Sequence, residues 1–149
     1  MWVPPGPERR GALTSFSTMI KNYATFQSAF PDDSVEDEVA APVPAGRALA
    51  EALASKIASA GSPYQHSFYG WKFDFKSTSG RQAWALVQQP GPWLLIVEAK
   101  VGWLESSSKK SLALEEVVRV VDSALRTLPD VSGVEWFTQD EFTESQRRK

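Results

Sequence analysis

The chain has 149 residues, 42% of them hydrophobic and 23% charged, and its formal net charge at pH 7 is −2. These values are typical of one globular domain and exclude a disordered chain, and the acidic balance disfavours a protein that works mainly through contacts with nucleic-acid phosphates. The lack of cysteine in the sequence excludes disulfides, thiolate nucleophiles and cysteine metal sites, and it fits a bacterial-type cytoplasm.

The N-terminal part of the chain combines a flexible arm, an amphipathic stretch and an acidic run. Residues 1–13 contain three prolines and two glycines, which predicts an arm without regular structure. Between residues 14 and 30 the apolar side chains recur with a spacing near 3.6, which predicts a helix that Pro31 ends, although the aromatic and β-branched residues leave a strand within this stretch open. Residues 32–38 are mostly acidic but lack the ligand pattern of a calcium loop, so they predict a solvated loop.

A second helix is predicted over residues 46–60. Leu49, Leu53 and Ile57 lie along one side of it, and alanine fills much of the remainder. The many alanines favour a helix and allow close approach of another element, and the Gly-Ser-Pro sequence at residues 61–63 ends it.

Three strands follow, at residues 65–76, 81–89 and 92–101. The turns between them are so short that neighbouring strands must be antiparallel. The third strand holds the longest unbroken apolar run in the sequence, and its apolar side chains alternate onto both faces. It is therefore predicted to be the central strand, covered on both sides.

The remainder of the chain predicts a loop, a long helix and a last strand. The loop at residues 101–110 carries Trp103, the helix covers residues 111–128, and the strand covers residues 131–138. Two outward i,i+4 ion pairs support the helix, namely Glu115 with Arg119 and Asp122 with Arg126.

Together these elements predict a single α+β domain in the order α-α-β-β-β-α-β, with a mainly antiparallel meander of three to five strands and helices packed against it. Residues 14–142 form this domain, and residues 143–149 form a charged tail that is frayed or at most a short helical turn. The sequence shows neither a signal peptide nor a membrane-spanning segment, so a cytoplasmic protein without membrane contact is expected.

The end of the predicted central strand carries the residues that bear on catalysis. In Glu98-Ala99-Lys100 the carboxylate and the ammonium group share one face of the strand. With the α-β-β-β-α-β order, this pattern resembles the E-x-K half-motif of the PD-(D/E)xK nuclease-like family, in which two carboxylates hold Mg²⁺ and the lysine positions or activates the attacking water. The resemblance implies a Mg²⁺-dependent nuclease that uses Glu98 and Lys100, with Asp74 as the nearest candidate for the second carboxylate.

That catalytic set is incomplete in the sequence. The family places its aspartate on the strand just before the E-x-K strand, and here residues 81–89 contain no acidic residue. One carboxylate alone does not hold a hard cation, and one histidine without cysteine excludes zinc sites built from several of these residues. The sequence therefore favours a protein that is not an enzyme and has no metal or other cofactor.

An aromatic strand face gives a further alternative. Tyr69, Trp71, Phe73 and Phe75 alternate along the first predicted strand, and the bases of a single-stranded nucleic acid could stack on them. Such a row is more often the core side of a sheet beneath a helix, and the basic surroundings that a stacking surface needs are missing. Nucleic acid is therefore not the expected partner.

The favoured interpretation is a small protein–protein interaction module, of the kind found among toxin-neutralising immunity proteins and adaptors carried on mobile genes. Its partner is an unidentified protein or a second copy of the chain in a homodimer. The candidate surface combines the acidic run with the exposed-looking Trp103, because tryptophan is enriched in binding hot spots. The acidic residues are Asp32, Asp33, Glu36 and Asp37.

Several stretches also resemble small bacterial proteins of unknown function, of the sort encoded by orphan reading frames or integron gene cassettes. These stretches are residues 30–33 through 46–49, 69–73 with 92–96, and 134–137. The resemblance covers roughly residues 26–142. It implies no activity and no functional residue, and it lowers the weight of the nuclease interpretation.

Overall fold

The structure is a computed structural model that describes residues 20–35, 42–66, 69–88 and 92–147. Within these ranges the chain forms six strands and three helices. In chain order they are β1 (Tyr23–Ser28), α1 (Arg47–Ser55), β2 (Tyr64–His66), β3 (Gly70–Lys76), β4 (Gln82–Gln88), β5 (Trp93–Ala99), α2 (Ser107–Arg126), β6 (Val131–Phe137) and α3 (Gln139–Arg147).

The six strands form one antiparallel sheet in the order β2-β3-β4-β5-β1-β6. Strands β2 to β5 are a meander, in which each strand pairs with the next one along the chain. Strand β1 pairs with the other side of β5, and β6 closes the sheet beyond β1. The predicted α+β class and antiparallel pairing are thus confirmed, and β5 lies inside the sheet with a neighbour on each side.

The predicted element order was wrong in its first element. The stretch predicted as a helix forms strand β1, in which Ala24 and Phe26 are buried while Tyr23 and Thr25 remain partly accessible. Pairing with both β5 and β6 decides the outcome, because a strand with two neighbours satisfies its backbone groups on both sides and suits β-branched and aromatic residues. The start of the predicted helix, before residue 20, lies outside the described residues.

Two further boundaries differ from the prediction, and the first of them, together with β1, raises the strand count from at most five to six. The strand predicted over residues 65–76 is the antiparallel pair β2 and β3, with Gln65 opposite Trp71. Helix α2 begins at Ser107, four residues earlier than predicted, because the Ser106 side chain accepts a hydrogen bond from the Lys109 N–H and caps the helix. The order of the described elements is therefore β-α-β-β-β-β-α-β-α.

Helix α3 occupies the stretch in which a frayed tail or a short turn was predicted. A capping box starts the helix: the Thr138 hydroxyl accepts a hydrogen bond from the Glu141 N–H at 3.1 Å, and the Glu141 carboxylate accepts one from the Thr138 N–H at 2.8 Å. The Phe142 ring then packs against Tyr23 of β1, with ring centroids 5.4 Å apart. This contact places α3 against β1, next to the edge strand β6.

Helices α1 and α2 pack on one face of the sheet and form the core with it. This core includes Trp71, Phe73 and Phe75, so three of the four aromatic residues in the predicted row are buried beneath the helices, whereas Tyr69, just before β3, is exposed. Each fully buried aliphatic or aromatic side chain contributes about 1.5–3 kcal/mol. The most completely buried side chains of the core are Phe26, Leu49, Leu53, Phe73, Val87, Leu95, Val97, Val117, Val121 and Leu125.

The outward face of α2 carries the two i,i+4 ion pairs that the sequence predicts. Arg119 pairs with Glu115, and the Arg126 Nε lies 2.8 Å from the Asp122 Oδ1. Asp122 also accepts a hydrogen bond from the indole N–H of Trp136 on β6, which ties the helix to that edge of the sheet. Of the helices that the structure describes, none has the length and apolarity needed to cross a membrane.

Candidate functional site

The catalytic candidates Asp74, Glu98 and Lys100 lie on the sheet face opposite α1 and α2. Asp74 of β3 is directly opposite Trp84 of β4, and Trp84 is directly opposite Glu98 of β5. The Cα atoms of the two acidic residues are therefore separated by two strand spacings, about 10 Å. In this register Trp84 lies between the two acidic residues.

This arrangement does not build the two-carboxylate metal site of the nuclease resemblance. A Mg²⁺ ion needs its oxygen ligands at about 2.1 Å, and Trp84 occupies the position between the two acidic residues. The described ranges contain no group of three or more His, Cys, Asp or Glu residues that could hold a metal ion. What the strand register does bring together is one tryptophan flanked by two carboxylates.

Glu98 is half-buried, and none of the described residues forms an ion pair with it. Burial raises the pKa of its carboxyl group above the ordinary value of 4.5. Burial is also the main cause that raises the pKa of the Tyr23 hydroxyl, and the charge of Glu98 adds to it. Lys100 makes no ion pair with Glu98, and its backbone N–H donates to the Gln82 carbonyl at 2.8 Å.

We expect Glu98→Gln to stabilise the protein at neutral pH. Since the folded-state pKa is the higher one, the stability that Glu98 contributes is complete below the unfolded-state pKa and is lost as the pH rises through the folded-state pKa. Glutamine removes this loss, so the midpoint of urea unfolding should rise at about pH 7.5 and match that of the wild type at about pH 3.5. A gain of equal size at both pH values would contradict this account.

A groove of about 630 Å³ opens beside Trp84 on the same face. Three lysines line it, two from β3 and one, Lys100, from just after β5, and the Nζ of Lys72 lies 4.5 Å from the centroid of the Trp84 ring. Among the described residues that line it, Asp74 is the only acidic one, and it accepts a hydrogen bond from the Tyr64 hydroxyl at 3.3 Å. We call this feature the lysine groove, and the lining residues used below are Lys72, Asp74, Lys76, Gln82, Trp84 and Lys100.

The acidic run has a structural role that its sequence did not reveal. The carboxylate of Asp33 accepts hydrogen bonds from the N–H groups of Gly46 at 2.8 Å and Ala48 at 2.9 Å, at the start of α1. Asp32 is exposed, and its hydrogen-bond partner within the described part of the chain is Ser34. The other two acidic candidates, Glu36 and Asp37, lie outside the described residues.

Trp103 is exposed, as the sequence indicated. Its side chain has 85% of its surface accessible, and that of the adjacent Leu104 has 79%. Both lie between β5 and α2, in residues 100–106, which we call the Trp103 loop. Leu112, on the second turn of α2, is also exposed.

Polar contacts hold the Trp103 loop in one conformation. The Glu105 N–H donates to the Gly102 carbonyl at 3.1 Å, and the Glu105 carboxylate accepts from the Gly102 N–H at 3.2 Å. The same carboxylate is 2.6 Å from the guanidinium of Arg81, which is the largest cause of the lowered pKa of Glu105. The loop therefore presents its two large apolar side chains from a fixed turn.

Sequence reasoning identified Trp103 but missed Leu104, Arg81 and Glu105. The Gly-Trp-Leu-Glu-Ser sequence contained a usable signal, because a glycine followed three residues later by an acidic residue is compatible with a turn that the acidic side chain closes. The pairing with Arg81 had no such signal, since it joins residues that are 24 positions apart.

Comparison of the chain with protein-family models, with curated proteins and with solved structures gives no match. The resemblances to orphan or cassette-encoded proteins and to the nuclease-like family stay predictions. The exposed Trp103 loop and the lysine groove are the two surface features of the described residues that bear on function.

Proposed function

We propose that the protein is a non-enzymatic interaction module that binds another protein through the Trp103 loop. The observation that carries this proposal is the exposure of Trp103 and Leu104 on a loop that hydrogen bonds hold in place. Tryptophan is enriched among the residues that dominate binding energy at protein interfaces. Large apolar side chains that are exposed side by side favour burial against a partner.

The rigid turn supports the same conclusion on energetic grounds. Ordering one flexible side chain or loop residue on binding costs about 0.5–1.5 kcal/mol, and a loop that is already ordered avoids much of this cost. The pairing of Glu105 with Arg81 and Gly102 does this ordering in the free protein. A partner that buries Trp103 therefore loses less of the apolar contact energy to the ordering of the loop.

The charges near the loop indicate the chemistry of the partner. Lys100 begins the loop, and Lys109 lies close enough to Glu105 to contribute to the lowering of its pKa, after the hydrogen bonds from Arg81 and Gly102. Neither lysine forms an ion pair with any other described residue. A symmetric dimer through this loop would bring like charges together, so the best-matched partner is a different protein with an apolar pocket edged by carboxylates.

The test places a photo-crosslinking amino acid at position 103 and, as a control, at position 69, where Tyr69 is 70% exposed. In cells that express the full chain, we expect one discrete protein adduct from position 103 and none from position 69. With that protein purified, Trp103→Ala should weaken binding about 30-fold or more while Tyr69→Ala leaves it unchanged. The unfolding midpoint should stay constant, because Trp103 buries little surface in the protein itself.

Two outcomes would contradict the proposal. One is the same adducts, or no adduct, from both positions. The other is Mg²⁺-dependent cleavage of DNA or RNA by the purified chain that is lost in Glu98→Ala, since this would make the protein an enzyme of the nuclease-like kind.

A further inference from the structure

We propose that the lysine groove is a second binding site, which takes a nucleotide, either free or as part of a single-stranded nucleic acid. The site lies on the sheet face opposite α1 and α2 and differs from the Trp103 loop in its chemistry. Its elements are an aromatic ring that can stack on a base and ammonium groups that can pair with a phosphate.

The strand register places two of the lysines, Lys76 and Lys100, on either side of Gln82. Lys76 of β3 is directly opposite Gln82 of β4, and the backbone N–H of Lys100 donates to the carbonyl of the same Gln82. The two lysines therefore start about 10 Å apart, and their long flexible side chains can converge on one anion above Gln82. The side-chain amide of Gln82 can donate a further hydrogen bond to this anion.

The groove is locally positive although the whole chain has a net charge of −2. Its lining residues include three lysines and one aspartate, and Asp74 is already bonded to the Tyr64 hydroxyl. Lys76 and Lys100 form no ion pair with another residue in the described parts of the chain. The overall charge, which disfavours nucleic acid as a partner, therefore does not describe this surface.

The ring of Trp84 makes the site more specific than a simple anion site. The Lys72 ammonium lies over the ring at 4.5 Å from its centroid, so this face of the indole is turned to the groove and not packed in the core. A planar base that stacks on the ring takes the place of the ammonium group, which then becomes free to pair with the phosphate of the same ligand. A nucleotide supplies both groups in one molecule.

The proposed site uses the same chemistry as the aromatic strand face considered from the sequence, which is stacking of a base on an aromatic ring, but it lies on the other face of the sheet. Trp71, Phe73 and Phe75 face the core under the helices, whereas Lys72, Lys76 and Trp84 lie on the opposite face. Lys100 borders both the groove and the Trp103 loop. The test therefore avoids Lys100 and uses residues that belong to the groove alone.

The experiment titrates the full chain with inorganic phosphate, with each of the four ribonucleoside 5′-monophosphates, and with a single-stranded oligonucleotide of about six nucleotides. Calorimetry gives the affinity, and the difference in fluorescence between the wild type and Trp84→Leu reports on this one tryptophan. We expect saturable binding of a mononucleotide or the oligonucleotide that Trp84→Leu weakens about tenfold. Lys76→Gln should weaken binding about fivefold and lower the salt dependence.

The arms of the experiment distinguish the two sources of the ligand. A free nucleotide that binds at least as tightly as the oligonucleotide identifies a small-molecule site. An oligonucleotide that binds more tightly, with a steeper dependence on salt, identifies single-stranded nucleic acid. Lys110→Gln, which changes a lysine outside the groove, is the matched control and should bind like the wild type.

The proposal is overturned if neither nucleotides nor the oligonucleotide bind below about 10 mM. It is also overturned if binding is the same in the wild type, Lys76→Gln and Trp84→Leu, or if inorganic phosphate binds as tightly as the nucleotides. Lys76 is exposed and outside the core, so its variant folds and remains informative even where Trp84→Leu alters the sheet.

Discussion

Gly70→Ala should destabilise the protein by at least about 3 kcal/mol, which is the upper end of the usual cost of overpacking. Gly70 is the first residue of β3, and a Cβ atom added there would lie 2.2 Å from the carbonyl oxygen of Val87 and 2.9 Å from the Cγ of Gln88. The oxygen belongs to the backbone of β4 and cannot rotate away. The ends of β3 and β4 would have to separate, at the position where Gly70 also pairs with His66 of β2.

Urea unfolding of the wild type and the variant measures this loss. Gly61→Ala is the matched control, because its Cβ atom would have no neighbour closer than the Asp74 carbonyl oxygen at 3.9 Å, which is an ordinary contact. We expect the control to unfold within about 0.5 kcal/mol of the wild type. If Gly70→Ala behaved like the control, the close approach of β3 and β4 at this residue would be wrong.

Much of this sheet could be predicted because its strands carry their own patterns. The meander from β3 to β5 followed from alternating apolar residues separated by short turns, and the position of β5 inside the sheet followed from apolar side chains on both of its faces. Helix α2 was recognisable from its apolar stripe and its ion pairs. These signals are local, so they can be recognised without knowing which strands or helices the element pairs with.

Strand β1 could not be predicted in the same way, because its period is ambiguous over six residues. The apolar residues around it fit a helix as well as a strand, and what decides is that β5 and β6 each offer it a hydrogen-bonding edge. That information is held at least 67 positions away along the chain, which is the separation of Phe26 from Trp93.

The two candidate sites also differ in whether local sequence signals predict them. The exposure of Trp103 was predictable, because a tryptophan in a short polar loop next to a glycine has little to pack against. The lysine groove was not, since Lys72 and Lys76 share a face with Trp84 and Lys100 only once the register of β3, β4 and β5 is known. The row of Asp74, Trp84 and Glu98 arises in the same way, and it places a tryptophan where the nuclease resemblance needed an open metal site.

Asp33→Ala should destabilise the protein by about 3 kcal/mol, since each hydrogen bond to a charged group contributes about 1.5–3 kcal/mol. Helix α1 has Gly46 at its N-cap, which offers no side-chain cap, and its first N–H groups depend on the carboxylate of Asp33. The helix buries Leu49 and Leu53 completely against the sheet. Loss of the cap therefore weakens the element that covers one half of the core.

A graded series separates this cap from a general effect of charge in the acidic run. Asp33→Asn keeps one acceptor oxygen and should lose about half as much stability as Asp33→Ala, whereas Asp32→Ala should change the free energy of unfolding by about 0.5 kcal/mol or less. Amide hydrogen exchange should show faster exchange at Gly46 and Ala48 in both Asp33 variants. Equal losses for Asp32→Ala and Asp33→Ala would instead assign the effect to charge. In that case Asp33 would have no specific role as the cap of α1, and the acidic run would again be a candidate for partner contact.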